Sequence, residues 1–300
     1  PNSVTELWAP MLVVDGGKRL GDNFYKFRNA TQVAHQRGPS AQHLEWRDRD
    51  GINLQVDELI ADITIRHAFE DVMTHVPANY REEKAFELPK KLKAMYDKLE
   101  TSTILELQGG IVDAVHAASL RTKLLQMASG AVYASMDDAS EYTVLDRSRY
   151  SLIADLVEER DHSVTFFNWR HQRDELAAEF TKRRISYALI DGSVSNTARG
   201  DIVRRYQNGE YQTVLLHPRT GAHGLTLTRG KTTIFASPIY EADLVKQAIH
   251  RIYRGDQTER TNTIFVRARG TVEDLVYDRV FGKEGRMTDL LGLLAQRRAA

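Results

Sequence analysis

The sequence contains no cysteine among its 300 residues, which removes disulfides, thiolate zinc sites and cysteine nucleophiles together. It also lacks net charge, since Lys+Arg and Asp+Glu are both 41, so a surface for a polyanion has to come from local clustering. No apolar run approaches the roughly 18 residues of a membrane-spanning helix, and nothing reads as a signal peptide. The chain therefore reads as soluble, intracellular and cytoplasmic, with no membrane partner. Its 10 histidines show no HExxH or other close ligand spacing, so no metal site is expected on this chain. No serine stands in a G-x-S-x-G context, which leaves nucleophilic hydrolase chemistry unsupported. Residues Gly224 to Lys231 imitate a phosphate-binding P-loop with one residue too many between the glycines, and they precede a strand instead of following one. Gly17-Lys18 and Gly282-Lys283 lack the upstream glycine, so no P-loop is present.

What is there divides into two styles. Residues 1–120 show mostly helical periodicity, with helices expected over Val4–Val14, Asp57–His75 and from Pro89-Lys90-Lys91 to Leu99, one or two more in Leu105–Met127, and a turn at Gly38-Pro39-Ser40. After about residue 147 short β-branched runs alternate with helical ones. Candidate strands are Val164–Asn168, Tyr187–Ile190, Val214–His217, Thr233–Ser237 and Thr263–Val266. This alternation predicts an α/β fold, a doubly wound parallel sheet with helices on both faces. Ligands of such sheets sit beyond the carboxyl ends of the strands, so the loops after each strand are the segments that matter.

One loop, His217 to Thr228, combines Gly221 and Gly224 with several hydroxyls, and His223 is the one histidine placed to matter. Glycines let the backbone turn its N–H groups toward a phosphate, although a plain sharp turn would look the same. Further on, KQAIHRIYRGDQ places Gln247, Arg251 and Arg254 at i, i+4 and i+7, on one face if the run is helical. Guanidiniums near a glycine loop suit the phosphates of a nucleoside triphosphate. The acidic pairs Asp57-Glu58, Asp137-Asp138, Glu158-Glu159 and Asp174-Glu175 read as solvated faces rather than metal ligands.

The order of these segments resembles Swi/Snf-like superfamily-two helicases of phage or bacterial type. Gln247-x-x-x-Arg251-x-x-Arg254-x-x-Gln257 is similar to the last helicase motif, and Gly221-Ala222-His223-Gly224-Leu225-Thr226-Leu227 to the one before it. Val164 to Trp169 resembles the first strand motif of the second RecA-like lobe; Asp191-Gly192-Ser193 with Arg199 and Tyr206 resembles the next block. More diffusely, Pro1 to Trp8 is similar to the segment immediately after the Thr-Gly-Thr-Pro motif of a first lobe, and Leu59 to Tyr96 to the helical insertion between lobes.

The resemblance implies a RecA-like lobe at 128–300, preceded by the tail of a first lobe at 1–30 and a mostly helical insertion at 31–127. It implies Arg251 and Arg254 as catalytic fingers, with Gln247, Gly221 and Gly224 near the nucleotide. Asn168, Arg170, Ser193, Thr226 and Thr228 would touch a nucleic-acid backbone, DNA before RNA, though ordinary strand-edge threonines stay open as a reading of the last two. ATP and Mg²⁺ would be held mainly by a first lobe that is absent here, so this chain alone is expected to bind none and to hydrolyse none, as a monomer, in the host cytoplasm if phage-encoded. Opening on Pro1, the sequence is read as a fragment or processed product. Arg254-Gly255-Asp256-Gln257 departs from the family's Arg-x-Gly-Gln, with the glycine one place forward. The competing readings are a RecA-like module that binds nucleic acid or protein without catalysis, and a doubly wound transferase acting on a nucleotide-sugar phosphate.

Overall fold

Strands buried on both faces are nearly continuous apolar runs, and that is how the second half of this sequence is written. The computed structural model describes residues 3–36, 44–64, 69–108, 114–134, 141–221 and 224–281. The chain divides into two units, Pro1–Val72 and Met73–Ala300.

The first unit holds helices α1 (Trp8–Asp15), α2 (Phe24–Thr31), α3 (Ile52–Ile60) and α4 (Phe69–Val72), with an antiparallel hairpin of β1 (Gln32–Gln36) and β2 (Leu44–Asp48). Val4, Met11, Leu20, Phe27, Ile52, Val56 and Ile60 form its core. Asp48 fastens the start of the unit to the hairpin, accepting from Ser3 Oγ at 2.8 Å, the Val4 amide at 3.0 Å and Gln32 Nε2 at 2.8 Å.

The second unit begins with β3 (Asn79–Phe86), α5 (Lys90–Gln108), α6 (Ala114–Ala128) and a short hairpin, β4 (Ala131–Tyr133) and β5 (Tyr142–Val144). The alternating part comes next, as α7 (Ser148–Glu158), β6 (Ser163–Phe166), α8 (Arg170–Arg183), β7 (Tyr187–Ile190), α9 (Asn196–Gln207) and β8 (Thr213–Leu216). It continues through α10 (Pro218–Gly221), β9 (Thr232–Phe235), α11 (Ala242–Ile249), β10 (Thr261–Ala268) and α12 (Val272–Val280). All five strands expected in this half are present.

They form a six-stranded sheet in the order β3-β10-β9-β6-β8-β7, parallel at every pairing. Val164, Phe166, Val214, Leu216, Phe235 and Phe265 pack one face against α9, α11 and α12. Leu215, Ile234, Ile264 and Val266 pack the other against α7 and α8. The sheet is thus doubly wound and RecA-like, as expected.

The region 31–127 is mostly helical, as expected, and also supplies β1, β2 and β3. Packing continues across the expected division at 127/128. Strand β3 pairs with β10 over its whole length, and α5 and α6 share a core with α12 through Leu92, Tyr96, Leu124 and Val276, so these elements belong to the lobe.

A buried ion pair fastens this assembly. Arg149 is 1% exposed and Glu273 0%. Arg149 Nη2 donates to both carboxylate oxygens at 2.8 and 2.7 Å and to Ala128 O at 2.9 Å, while its Nη1 reaches Ala236 O at 2.6 Å. Glu273 also accepts the Ala268 amide at 2.7 Å. One guanidinium therefore ties α6, α7, α12 and the ends of β9 and β10. The turn at Gly38-Pro39-Ser40, the pair Asp137-Asp138 and His223 lie outside the described residues.

Candidate functional site

Because every strand of the sheet runs the same way, the loops after β6, β7, β8 and β9 collect along one edge. After β6, the amides of Asn168 and Trp169 both donate to Oε1 of Gln172, at 2.9 and 3.2 Å. Gln172 is fully buried in the first turn of α8, so the loop is anchored from beneath, with Asn168 half-buried and Arg170 exposed. After β7, Asp191 accepts the amide and hydroxyl of Ser193 at 2.9 and 2.6 Å and pairs with Arg173 at 3.0 Å. Burial raises the Asp191 carboxyl, but the Ser193 bonds and the Arg173 charge outweigh it and hold the group below its ordinary value. After β8, Arg219 pairs with Glu241 at 2.7 Å and so joins two neighbouring loops.

Arg251 and Arg254 lie elsewhere. Helix α11 runs back from this edge and stops at Ile249, so the expected single helical face carrying Gln247, Arg251 and Arg254 is broken. The cause is tertiary. The Arg251 carbonyl is taken by the Leu227 amide at 2.8 Å, the Arg251 amide falls back on Ala248 O at 3.1 Å, and His250 Nδ1 bonds Tyr253 O at 3.0 Å. Gln247 stays on the helix and is exposed, whereas both arginines sit on the turn beyond its end.

That turn and the connector before β9 are bonded into one block. Gln257, 5% exposed, donates through Nε2 to Thr228 O at 3.0 Å, Gly230 O at 3.2 Å and Ile252 O at 3.3 Å. Gly230 has no room for a side chain, since a Cβ would come within 2.7 Å of both Ile252 Cδ1 and the Tyr206 hydroxyl. Within the block Arg251 is 9% exposed; its Nη1 reaches Leu225 O at 3.4 Å and its Nε is buried without an acceptor. Burial and then the charge of Arg254 push the Arg251 guanidinium below its ordinary value, although arginine stays protonated. Among the described residues neither arginine pairs with a carboxylate. Two adjacent cations, one desolvated, make a site for an anion of high charge.

The structure brings Arg251 and Arg254 together beside Leu225 to Gly230, and gathers Asn168, Arg170 and Ser193 at the strand ends. Thr226 lies half-buried on the connector. The half-buried Thr228 is already engaged, its hydroxyl donating to Asp256 Oδ2 and accepting from Gln207 Nε2, each at 3.2 Å. Gly221 closes the short α10, and Gly224 adopts φ +75° in open space, so only its backbone requires glycine. Sequence reasoning passed over Gln172 and Gln257 as anchors; the one usable signal was the place of Gln257 at the end of the arginine run. Among the described residues no three acidic or histidine side chains converge as a metal site would require.

Residues 148–256 match the model of the helicase conserved C-terminal domain. Over these residues the chain is similar to the C-terminal domains of Swi/Snf-type helicases. Among sequence relatives, protein p41 of Acyrthosiphon pisum secondary endosymbiont phage 1 is 26% identical over 97% of this chain and 62% of its own. The human DNA annealing helicase and endonuclease ZRANB3 is 24% identical over 78% of this chain and 21% of its own. The chain thus spans less than two thirds of the length of either relative. In fold it resembles the Sulfolobus solfataricus SWI2/SNF2 ATPase core in complex with dsDNA, at TM-score 0.53 and 17% identity over 91% of this chain and 56% of that one. It equally resembles the C-terminal part of the Fun30 ATPase domain, at TM-score 0.53 and 14% identity over 74% of this chain and 97% of that one.

Proposed function

We propose that this chain supplies the second lobe of an ATP-dependent, nucleic-acid-stimulated helicase or translocase acting on duplex DNA. The observation that carries the reading is the buried Arg251 guanidinium, with an orphaned Nε, beside Arg254, neither of them paired with a carboxylate among the described residues. That arrangement suits an anion of high charge such as a triphosphate. Arg251 and Arg254 would stabilise charge spreading over the γ-phosphate oxygens of ATP, and Gln247 would help position the pair. ATP and its Mg²⁺ would be gripped mainly by a first RecA-like lobe, so this chain alone has no turnover of its own.

The strand-end loops supply the second half of the reading. Asn168, Arg170 and Ser193 offer short donors and a cation suited to phosphate oxygens, which position a duplex without reading its sequence. Thr226 lies on the connector bonded to the arginine turn, so contact with the duplex there and contact with the nucleotide are mechanically joined. The hydroxyl and carbonyl of Thr228 are already engaged, which leaves its amide for such a contact.

The test uses a protein carrying both lobes. Arg254→Ala should lower DNA-stimulated ATP hydrolysis by roughly 10³- to 10⁵-fold while duplex binding is retained. An unchanged rate would overturn the reading and favour a RecA-like module that binds without catalysis.

A further inference from the structure

The departure at Gly255-Asp256 has a structural counterpart at the point where the chain enters the lobe. His75 Nε2 lies 2.9 Å from the carbonyl oxygen of Gly255, the residue directly after Arg254. In neutral histidine this bond requires the hydrogen on Nε2. A Cβ at Gly255 would meet Met73 Sδ at 3.3 Å and Cε at 3.5 Å, so the glycine stands where this segment lies against the turn. A Cβ at 255 would oblige the Met73 thioether to give by a few tenths of an ångström.

The segment is a stiff support. The Val76 amide bonds Met73 O at 3.1 Å and the Val76 side chain is 8% exposed. Three residues on, Asn79 is clamped to β10, its Nδ2 donating to Thr261 Oγ1 at 2.8 Å and its Oδ1 accepting from Thr263 Oγ1 at 3.0 Å. Met73 to Asn79 is therefore pinned to the sheet at one end and applied to the arginine turn at the other. The turn is held from inside by Gln257 and from outside by His75.

We propose that His75 is a positioning residue for the arginine fingers, fixing the Gly255 peptide so that Arg254 is presented in one orientation. The inference rests on the reading of Arg254 as a finger. His75 touches no nucleotide; it acts through the backbone of the turn. Because Arg254 makes no ion pair among the described residues, its direction is set by the peptides on either side, and a lost hydrogen bond there is felt at the guanidinium.

The experiment measures DNA-stimulated ATP hydrolysis, KM for ATP and duplex affinity in the two-lobe protein for His75→Ala, His75→Gln and Arg254→Ala. His75 is exposed, so the variants should fold, and equal thermal midpoints check this. His75→Ala should lower kcat roughly 3- to 10-fold, the worth of one hydrogen bond, with KM and duplex affinity unchanged. His75→Gln, which keeps a donor at similar reach, should restore kcat to within about 2-fold. If Arg254→Ala abolishes turnover while His75→Ala is indistinguishable from the parent, or if glutamine gives no rescue, the positioning role is overturned and the finger stands. If Arg254→Ala itself leaves turnover unchanged, the finger falls and the inference with it.

Discussion

Replacing Glu273 by leucine leaves the Arg149 guanidinium buried without its counter-charge. At 1% exposure it cannot reach water, and only the carbonyls of Ala236 and Ala128 remain to it at short range. The Ala268 amide loses its acceptor as well. Breaking a buried pair by removing one partner costs about 3–5 kcal/mol, and an orphaned buried amide adds about 1–3 kcal/mol. Against the roughly 5–15 kcal/mol that typically holds a domain, Glu273→Leu should bring the lobe close to unfolding. The double variant Arg149→Met/Glu273→Leu removes both charges and should lose much less than the single change. Urea unfolding followed by Trp169 fluorescence reports the lobe, provided Trp8 and Trp46 of the first unit are changed to phenylalanine. A loss under about 1 kcal/mol for Glu273→Leu would refute the assignment of this pair as the staple of the lobe.

Acid should expose a second buried group. His171 is fully buried between Ser129 Oγ at 2.8 Å and the Tyr133 hydroxyl at 3.1 Å, and burial followed by the charge of Arg149 brings its pKa down to about 3. The unfolded chain takes up this proton near pH 6.5 and the folded one only near 3. Stability is therefore complete above about pH 6.5 and falls by about 1.4 kcal/mol per unit as pH drops through that window. His171→Gln should flatten the slope in pH-dependent urea titrations, and an unchanged slope would place the acid sensitivity elsewhere. Gly230→Ala should cost about 1–3 kcal/mol in the same assay, because its Cβ cannot coexist with Ile252 and Tyr206 as they stand, and a neutral result would show that the arginine turn yields easily.

The central strands β6, β8, β9 and β10 were legible as short apolar runs buried on both faces and were found within a few residues at their ends. The edge strand Tyr187–Ile190 was found residue for residue because it too is an unbroken apolar run. Strand β3 was not legible. Its sequence, NYREEKAF, is rich in charge because it lies at the sheet edge, and nothing local distinguishes it from a solvated turn or helix. The charges that became the staple, Arg149 and Glu273, look like any others in a chain with 41 of each sign; only the fold removes them from water. The acidic pairs read as solvated faces do form surface ion pairs, among them Glu159 with Arg160 and Asp174 with Arg173. For the candidate site, residue types were readable and placement was not. Periodicity carried α11 through to Arg254, whereas the Leu227 amide, 24 residues away in sequence, ends it by claiming the Arg251 carbonyl.

That claimed carbonyl bears on how a motor of this kind would couple its two ligands. Had the helix continued, Arg251 and Arg254 would ride on a rod independent of the connector from Gly224 to Gly230. Instead the connector bonds the turn through the Leu227 amide, the Leu225 carbonyl and the Thr228 and Gly230 carbonyls that converge on Gln257. If a duplex moved Thr226, as proposed, the guanidiniums would move with it, and a shift of about 1 Å at a reacting group is worth on the order of 100-fold in rate. The desolvated Arg251 adds a driving term, since the anion that satisfies it also holds the block in one arrangement. Stimulation of ATP turnover by nucleic acid would accordingly need no wire through the sheet; the shared backbone between residues 224 and 257 is short enough to carry it.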